Sequence, residues 1–179
     1  MKKLLILVAA VLAMASCNTK SDNKASDTAD TTVTNTEKQA EPEPEAPDFR
    51  AVSLDGETIR LSTFGGRYIV LDFWGTWCGW CVKGIPTMRT YYEKYSDRME
   101  IIGVDYGDEE NALRDFVRDN EMRWTHVLND EDDPDGSLVG LYGVTGFPTK
   151  IIISPEGTIV GRYEGEVPEF YQKLDELFK

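Results

Sequence analysis

Histidine and cysteine are scarce in this sequence, and basic residues are outnumbered by acidic ones. Among 179 residues there are one histidine and three cysteines, and the formal net charge is -13. A surface that binds nucleic acid must be basic because it neutralises phosphates, so this charge excludes a nucleic-acid partner. Cysteines at positions 17, 78 and 81 do not form the pattern of a disulfide framework. The scarcity of both residue types also leaves a zinc site short of ligands.

Long hydrophobic runs are missing as well. The longest covers residues 4–15, which is too short for a comfortable transmembrane helix. Two lysines precede it and small residues followed by Cys17 end it, which is the layout of a secretory signal peptide. Cys17 after small residues resembles the cleavage box of bacterial lipoproteins, in which the cysteine becomes the new N-terminus and carries acyl chains. The resemblance implies a lipoprotein signal peptide over residues 1–16 and a lipid anchor at Cys17. An ordinary signal peptide with an unmodified Cys17 is the alternative.

The next segment has almost nothing to bury. Residues 18–47 contain no aromatic side chain, and the segment ends in alternating glutamate and proline. Such a composition cannot offset the entropy lost on ordering the chain. We therefore interpret residues 17–47 as the lipid anchor followed by a disordered acidic linker. The folded domain is expected over residues 48–179.

Hydrophobic periodicity in residues 48–179 predicts alternating strands and helices. Apolar runs at 68–74 and 99–105 predict strands that are buried on both faces. Turn residues between short β-rich runs predict hairpins over 49–61 and 149–163. Apolar residues at helical spacing predict helices over 79–95 and 109–120 and from 167 onwards. The pattern indicates an α/β fold: a mixed central sheet flanked by helices on both faces, with an added N-terminal β-hairpin.

The stretch DFWGTWCGWC, residues 72–81, places Cys78 and Cys81 one helical turn apart. Cys78 follows a predicted strand and begins a predicted helix, where unpaired N–H groups and a partial positive charge stabilise a thiolate. The spacing allows the two sulfurs to form a disulfide. The first cysteine then attacks a substrate disulfide, and the second attacks the mixed disulfide and releases the reduced product. Run backwards, the same pair oxidises a dithiol.

Other uses of a cysteine pair fit less well. Haem attachment needs a histidine directly after the second cysteine, where this chain has Val82. A zinc site lacks further ligands, because Cys17 lies elsewhere and His126 is the only histidine. A purely structural disulfide stays open, although so short a loop constrains the unfolded chain little. We expect no metal and no organic cofactor. The acidic segment 131–136 matches a calcium loop only in part and is interpreted as a surface loop.

The WCGWC motif, Pro86 and the segment GFPT at residues 146–149 together resemble the thioredoxin-like superfamily. Residues 47–78 resemble more closely its membrane-anchored TlpA/ResA-type branch of thiol-disulfide oxidoreductases. The resemblance covers about residues 47–179 and implies a thioredoxin-like fold. It also implies a cis peptide bond before Pro148, beside Cys78, and a backbone at Phe147 that pairs with an extended substrate.

Asp72 stands in an otherwise apolar strand, where an ionised carboxylate is costly. Burial there should raise its pKa. By resemblance it occupies the superfamily position of a buried acid behind the second cysteine, which would make it the proton acceptor for Cys81. Alternatively, Asp72 only shapes the strand.

The chain departs from the family pattern at two places. Gly79 and Trp80 separate the cysteines, a dipeptide that the family links to redox potential. Trp80 should lie at the mouth of the site, where it contacts substrate or only shields the sulfurs. Gly84 stands where the TlpA/ResA branch often has a glutamate, so any role of that acid is absent or moved.

These observations predict an envelope enzyme, a thiol-disulfide oxidoreductase of the protein-disulfide reductase type. The expected partners are protein thiols or disulfides and an upstream membrane redox donor, and the chain is expected to be a monomer. It would lie on the periplasmic side, anchored through Cys17, with Asn18 favouring the outer membrane. A disulfide oxidase or isomerase of the same fold is the first alternative, and a non-catalytic binding lipoprotein is another. A thiol peroxidase is disfavoured because Leu71 and Gly75 stand where its loop needs proline and a hydroxyl residue.

Overall fold

The strands and helices follow the alternation that the sequence predicts. The fold is described from a computed structural model, which describes residues 43–130 and 137–179. In chain order the elements are β1 (Arg50–Val52), β2 (Thr58–Arg60), a 3-10 helix (Leu61–Phe64), β3 (Tyr68–Trp74), α1 (Gly79–Tyr95), β4 (Met99–Asp105), α2 (Glu110–Asp119), β5 (Thr125–Leu128), α3 (Leu138–Leu141), β6 (Thr149–Ile153), β7 (Ile159–Glu164) and α4 (Pro168–Leu177). The predicted signal peptide, the Cys17 anchor, most of the linker and the acidic segment 131–136 lie outside the described residues.

The main sheet has five strands in the order β5-β4-β3-β6-β7. Strand β3 pairs in parallel with β4 and antiparallel with β6, so parallel and antiparallel halves meet at this central strand. Six of the seven β3 residues and all seven of β4 are buried. Burial on both faces explains why these strands read as continuous apolar runs rather than as an alternation. The mixed sheet is therefore as predicted.

Helices flank both faces of the sheet, but unequally. The long helices α1, α2 and α4 contribute to one hydrophobic cluster, which also contains Cys78 and Cys81. The other face is covered by the β1–β2 hairpin, the 3-10 helix and α3. Phe170 and Leu174 anchor α4 with at most 1% of their surface exposed. Each such fully buried side chain contributes about 1.5–3 kcal/mol. The predicted thioredoxin-like fold with its added hairpin is confirmed.

Two details go beyond the prediction. Helix α3 has only four residues, which is too short to give a periodic pattern in the sequence. At the other end of the chain, contacts to the fold begin before Asp48, since Ala46 N–H donates to the carbonyl of Gly157 at 2.8 Å and the Tyr142 hydroxyl donates to the Pro47 carbonyl at 2.7 Å. Within residues 43–130 and 137–179, no helix combines the length and apolarity needed to span a membrane.

Candidate active site

Cys78 and Cys81 lie at the start of α1, directly after the loop that leaves β3. Cys78 is the N-cap residue of the helix, and its sulfur accepts a hydrogen bond from the Cys81 N–H at 3.2 Å. The two cysteines are joined in a disulfide. Because the first N–H groups of a helix lack helical partners, they can stabilise negative charge on the Cys78 sulfur once the bond opens. Cys78 and Cys81 therefore lie at the N-terminus of a helix, as predicted.

The loop before Cys78 is held by contacts that the sequence does not reveal. Both the N–H and the hydroxyl of Thr76 donate to the Asp108 carboxylate, at 2.7 and 2.6 Å. The Trp77 indole N–H donates to the Tyr106 carbonyl at 2.8 Å. Gly75 is required at its position, because a Cβ there would lie 2.5 Å from the Trp77 indole nitrogen. Residues that follow β4 therefore hold the loop before Cys78 in place.

Asp105 ends β4 next to this loop, and its side chain is fully buried. One carboxyl oxygen accepts the Asp108 N–H at 3.2 Å. Burial, with the neighbouring Asp108, raises the pKa of Asp105 to about 8. Burial works against Asp108 too, but contacts with Asp105 and Thr76 outweigh it and lower the pKa of Asp108. Of the two carboxyls, Asp108 therefore carries the charge that holds Thr76.

The disulfide itself is almost covered. Cys78 and Cys81 are 7% and 5% exposed, whereas the flanking Trp77 and Trp80 are 55% and 63% exposed. The Lys83 ammonium lies over the Trp80 ring, 4.8 Å from its centroid. An approaching molecule would therefore meet exposed aromatic surface before it meets sulfur. Trp80 lies at the predicted mouth of the site, and its contact with substrate stays a prediction.

The peptide bond between Phe147 and Pro148 is cis, which confirms the expectation from the family resemblance. The Phe147 ring stacks on Tyr106 with centroids 5.1 Å apart and meets the Trp77 ring edge-on at 5.4 Å. These contacts place the Phe147–Pro148 bond beside the loop that ends at Cys78. The predicted substrate-binding roles of both residues stay predictions.

Asp72 is buried in β3, as predicted. It shares a sheet face with Val70 and Trp74, because side chains two positions apart point the same way. Both of these residues pack in the hydrophobic cluster that contains Cys78 and Cys81. Asp72 is therefore on the side of the sheet that α1 covers, and its role as proton acceptor stays a prediction.

The partners of Asp72 were not predicted from the sequence. The Lys150 ammonium lies 3.5 Å from Asp72 Oδ1 and 2.8 Å from Glu166 Oε2. The Tyr171 hydroxyl donates to the other Glu166 oxygen. Burial raises the pKa of Asp72, while Lys150 opposes this shift and Glu166 adds to it. For Lys150, burial alone would lower the pKa, but the two carboxylates outweigh it and raise the pKa. A lysine inside the apolar run of β6 was the available clue, because an unpaired ammonium is too costly to bury.

His126 packs against Trp74 at the end of β3. His126 is 3% exposed and lies between the Trp74 and Trp124 rings, 5.7 and 5.6 Å away. Burial lowers its pKa to about 3, so the imidazole is neutral and structural. In the described part of the chain, no group of three or more histidine, cysteine or acidic side chains could hold a metal ion.

Comparison with known proteins agrees with this geometry. The model of the AhpC/TSA family matches residues 42–162. The thiol-disulfide oxidoreductase ResA of Bacillus thuringiensis subsp. konkukian is 33% identical over 136 residues, which cover 75% of this chain and 75% of that protein. ResA of Bacillus subtilis is 33% identical over 126 residues, which cover 70% of this chain and 68% of that protein.

A solved structure shows the same similarity in three dimensions. The thioredoxin domain of a thiol-disulfide oxidoreductase from Bacteroides vulgatus superposes with a TM-score of 0.68 and 28% identity. The match covers 76% of this chain and 97% of that domain. The chain therefore belongs to the AhpC/TSA family, as a thioredoxin-like, ResA-type thiol-disulfide oxidoreductase with a CxxC redox pair.

Proposed function

We propose that the chain works as a reductase of disulfide bonds in other proteins of the cell envelope. The observation that supports this direction is the buried Asp72 carboxyl on the sheet face covered by α1. Its Oδ1 atom lies 3.5 Å from the Lys150 ammonium. Burial raises the pKa of Asp72, and a buried carboxylate with a raised pKa is suited to take the proton that a buried thiol must lose before it can attack.

The reaction starts from the reduced Cys78–Cys81 pair. The Cys78 thiolate attacks one sulfur of the substrate disulfide, and the other substrate sulfur leaves as a thiolate that takes up a proton. Cys81 then transfers its proton to Asp72 and attacks the Cys78 sulfur. The mixed disulfide breaks, the second substrate thiolate leaves with a proton, and the Cys78–Cys81 disulfide forms. Two electrons have moved from the protein to its substrate, together with one proton that left Cys81 by way of Asp72 and one proton from solvent.

Substrate binding is assigned to the aromatic surface around the disulfide. Trp80 is 63% exposed beside the cysteines, and Phe147 packs against Trp77 at the loop before Cys78. Exposed aromatic side chains gain much contact area at low entropic cost, and they dominate many protein interfaces. Phe147 and Pro148 would present the backbone of this rim to an extended segment of the partner protein.

The cell envelope is proposed as the compartment. The supporting observations are the signal-peptide pattern of residues 1–16, the cysteine that follows it and the acidic segment up to residue 47. Cys17 would carry the lipid anchor, with the outer membrane favoured, and the domain would act as a monomer. Oxidised enzyme would be reduced again by a membrane electron donor. Labelling cells with a radioactive fatty acid tests the anchor: the chain should take up label and its Cys17→Ser variant should not.

The reduction potential of the Cys78/Cys81 couple tests the direction of the reaction. The full chain, purified in detergent, is equilibrated with dithiothreitol buffers and the fraction of disulfide is measured. A potential near that of thioredoxin, about -270 mV, supports a reductase that must be kept reduced. A potential near about -120 mV would identify a disulfide donor and overturn the proposal.

A further inference from the structure

Glu166 and Gly84 share one small space beside the redox helix. A Cβ built on Gly84 would lie 2.5 Å from Glu166 Oε2 and 2.6 Å from its carboxyl carbon. Gly84 follows Cys81 by three positions in α1, so the two residues lie on the same face of the helix, one turn apart. The Glu166 carboxylate, which comes from the segment between β7 and α4, is therefore packed onto the face of α1 that carries the second cysteine.

Glu166 is held in this space from two other sides. Its Oε2 atom accepts from the Lys150 ammonium of β6 at 2.8 Å, and its Oε1 atom accepts from the Tyr171 hydroxyl of α4. Glu166 and Lys150 side chains are 14% and 2% exposed. The same ammonium lies 3.5 Å from Asp72 Oδ1. Lys150 thus stands between the two carboxylates, and its position relative to Asp72 depends on Glu166.

The charges in this cluster do not balance. Two carboxylates share one ammonium, so a negative charge on Glu166 leaves Asp72 with only part of the attraction of Lys150. The next groups outward are Tyr91 of α1 and Asp175 of α4: the Tyr91 ring lies 5.1 Å from the Tyr171 ring, and its hydroxyl donates to Asp175 at 2.9 Å. Burial, with its bond to Asp175, raises the pKa of Tyr91 to about 12, so Tyr91 adds no charge near neutral pH.

We propose that Glu166 and Lys150 are positioning residues of the redox centre. Glu166, seated in the space that Gly84 leaves open, shares the Lys150 ammonium with Asp72 and so sets the pH at which Cys81 loses its proton. This inference rests on the proposed role of Asp72 as the proton acceptor. Glycine at position 84 is then a requirement of the site, because any side chain there would displace the Glu166 carboxylate.

The test measures the ionisation of Cys81 alone. In the full chain with Cys17→Ser and Cys78→Ser, which leaves Cys81 as the remaining cysteine, the ultraviolet absorbance of the thiolate is followed against pH. Glu166→Gln keeps the side-chain size but removes the charge that competes for Lys150, so the midpoint should move to lower pH. Lys150→Met removes the cation and should move the midpoint to higher pH. A charge a few ångströms away changes such midpoints by roughly one pH unit or more.

Gly84→Ala provides an independent variant, since glycine to alanine in a helix is normally well tolerated. Here it should displace the Glu166 carboxylate and reproduce the shift of Glu166→Gln. In the Glu166→Gln background the added methyl should change the midpoint no further, because the charge is already gone. Circular dichroism of each variant checks that α1 and the sheet are intact.

The outcomes separate this inference from the proposed function. Shifts of opposite sign for Glu166→Gln and Lys150→Met support it, since a merely structural role gives no reason for opposite signs. Midpoints that coincide with that of the parent overturn it, as would a Gly84→Ala midpoint equal to the parent's. The proposed function is tested separately by reduction of insulin with the unmodified Cys78–Cys81 pair. If the protein does not reduce insulin but the Glu166→Gln and Lys150→Met midpoints still shift in opposite directions, the proposed reductase role is wrong and the positioning role of Glu166 and Lys150 still stands.

Discussion

Asp72 and Lys150 lie directly opposite each other in the antiparallel ladder between β3 and β6. Both are buried, and Lys150 is 2% exposed. Breaking a buried ion pair by removing one partner usually costs about 3–5 kcal/mol, because the remaining charge is stranded. Here Lys150 keeps Glu166 as a second partner, so the pair can be altered at Asp72 while the ammonium stays neutralised.

Asp72→Asn should slow the attack of Cys81 on the mixed disulfide. The amide cannot accept the thiol proton, and loss of a general base costs about 100-fold or more in rate. Stopped-flow measurement of insulin reduction by the pre-reduced protein, between pH 6 and pH 9, provides the readout. The slowing should shrink at high pH, where Cys81 ionises without help. Asp97→Asn is the matched control, since Asp97 is exposed after α1. An Asp72→Asn rate equal to that of the parent would leave Asp72 a structural role only.

Trp80→Ala distinguishes the two roles considered for this exposed ring. If Trp80 binds partner proteins, kcat/KM for a protein disulfide should fall by about 10-fold, which is typical of an aromatic interface residue. The rate with a small disulfide such as oxidised glutathione should change little. If Trp80 only shields the sulfurs, the small disulfide should instead react faster. Leu141→Ala serves as control, because Leu141 is 42% exposed on α3, which covers the other sheet face.

Asp105 should make the folded protein less stable as pH rises. Its pKa is raised from 3.8 to about 8 in the folded state, so the folded protein holds a proton that the unfolded chain has lost. This stabilisation is complete below pH 3.8 and disappears as pH rises toward about 8. Asp105→Asn should remove the decline, which amounts to an effect on the order of a few kcal/mol. Urea unfolding of the oxidised protein between pH 4 and pH 8 measures it. If the free energy of unfolding depended on pH in the same way for the parent and for Asp105→Asn, the raised pKa of Asp105 would be contradicted.

His126 should make the folded protein less stable as pH falls, which is the opposite of the effect of Asp105. Its pKa falls from 6.5 to about 3 on folding, so the unfolded chain binds a proton that the folded state excludes. The stabilisation is complete above pH 6.5 and is lost as pH falls toward about 3. His126→Gln should flatten the acid side of the stability curve and leave the slope above pH 7 unchanged. Thermal unfolding from pH 4 to pH 7 is the measurement, and an acid slope that persists in the variant would refute it.

Much of the fold could be predicted because its elements carry local patterns. The runs that form β3 and β4 are apolar throughout, as central strands must be, and α4 has a clear apolar stripe. Helix α3 could not be found this way, since four residues make no stripe. Those site residues could be predicted whose chemistry follows from their spacing in the sequence. Cys78 and Cys81 are three positions apart, and the strand before them and the helix after them are both visible in the sequence.

The sequence by itself determined the reacting pair, its place at a helix N-terminus and the burial of Asp72. Each of these depends on residues close together in the chain, where local geometry leaves few choices. Only the tertiary structure decided that Lys150 neutralises Asp72, that Glu166 occupies the space beside Gly84, and that Asp108 holds the loop before Cys78. These partners lie on different strands, helices and connecting segments. They meet because the order of strands in the sheet and the packing of α1 and α4 on one face bring distant segments together.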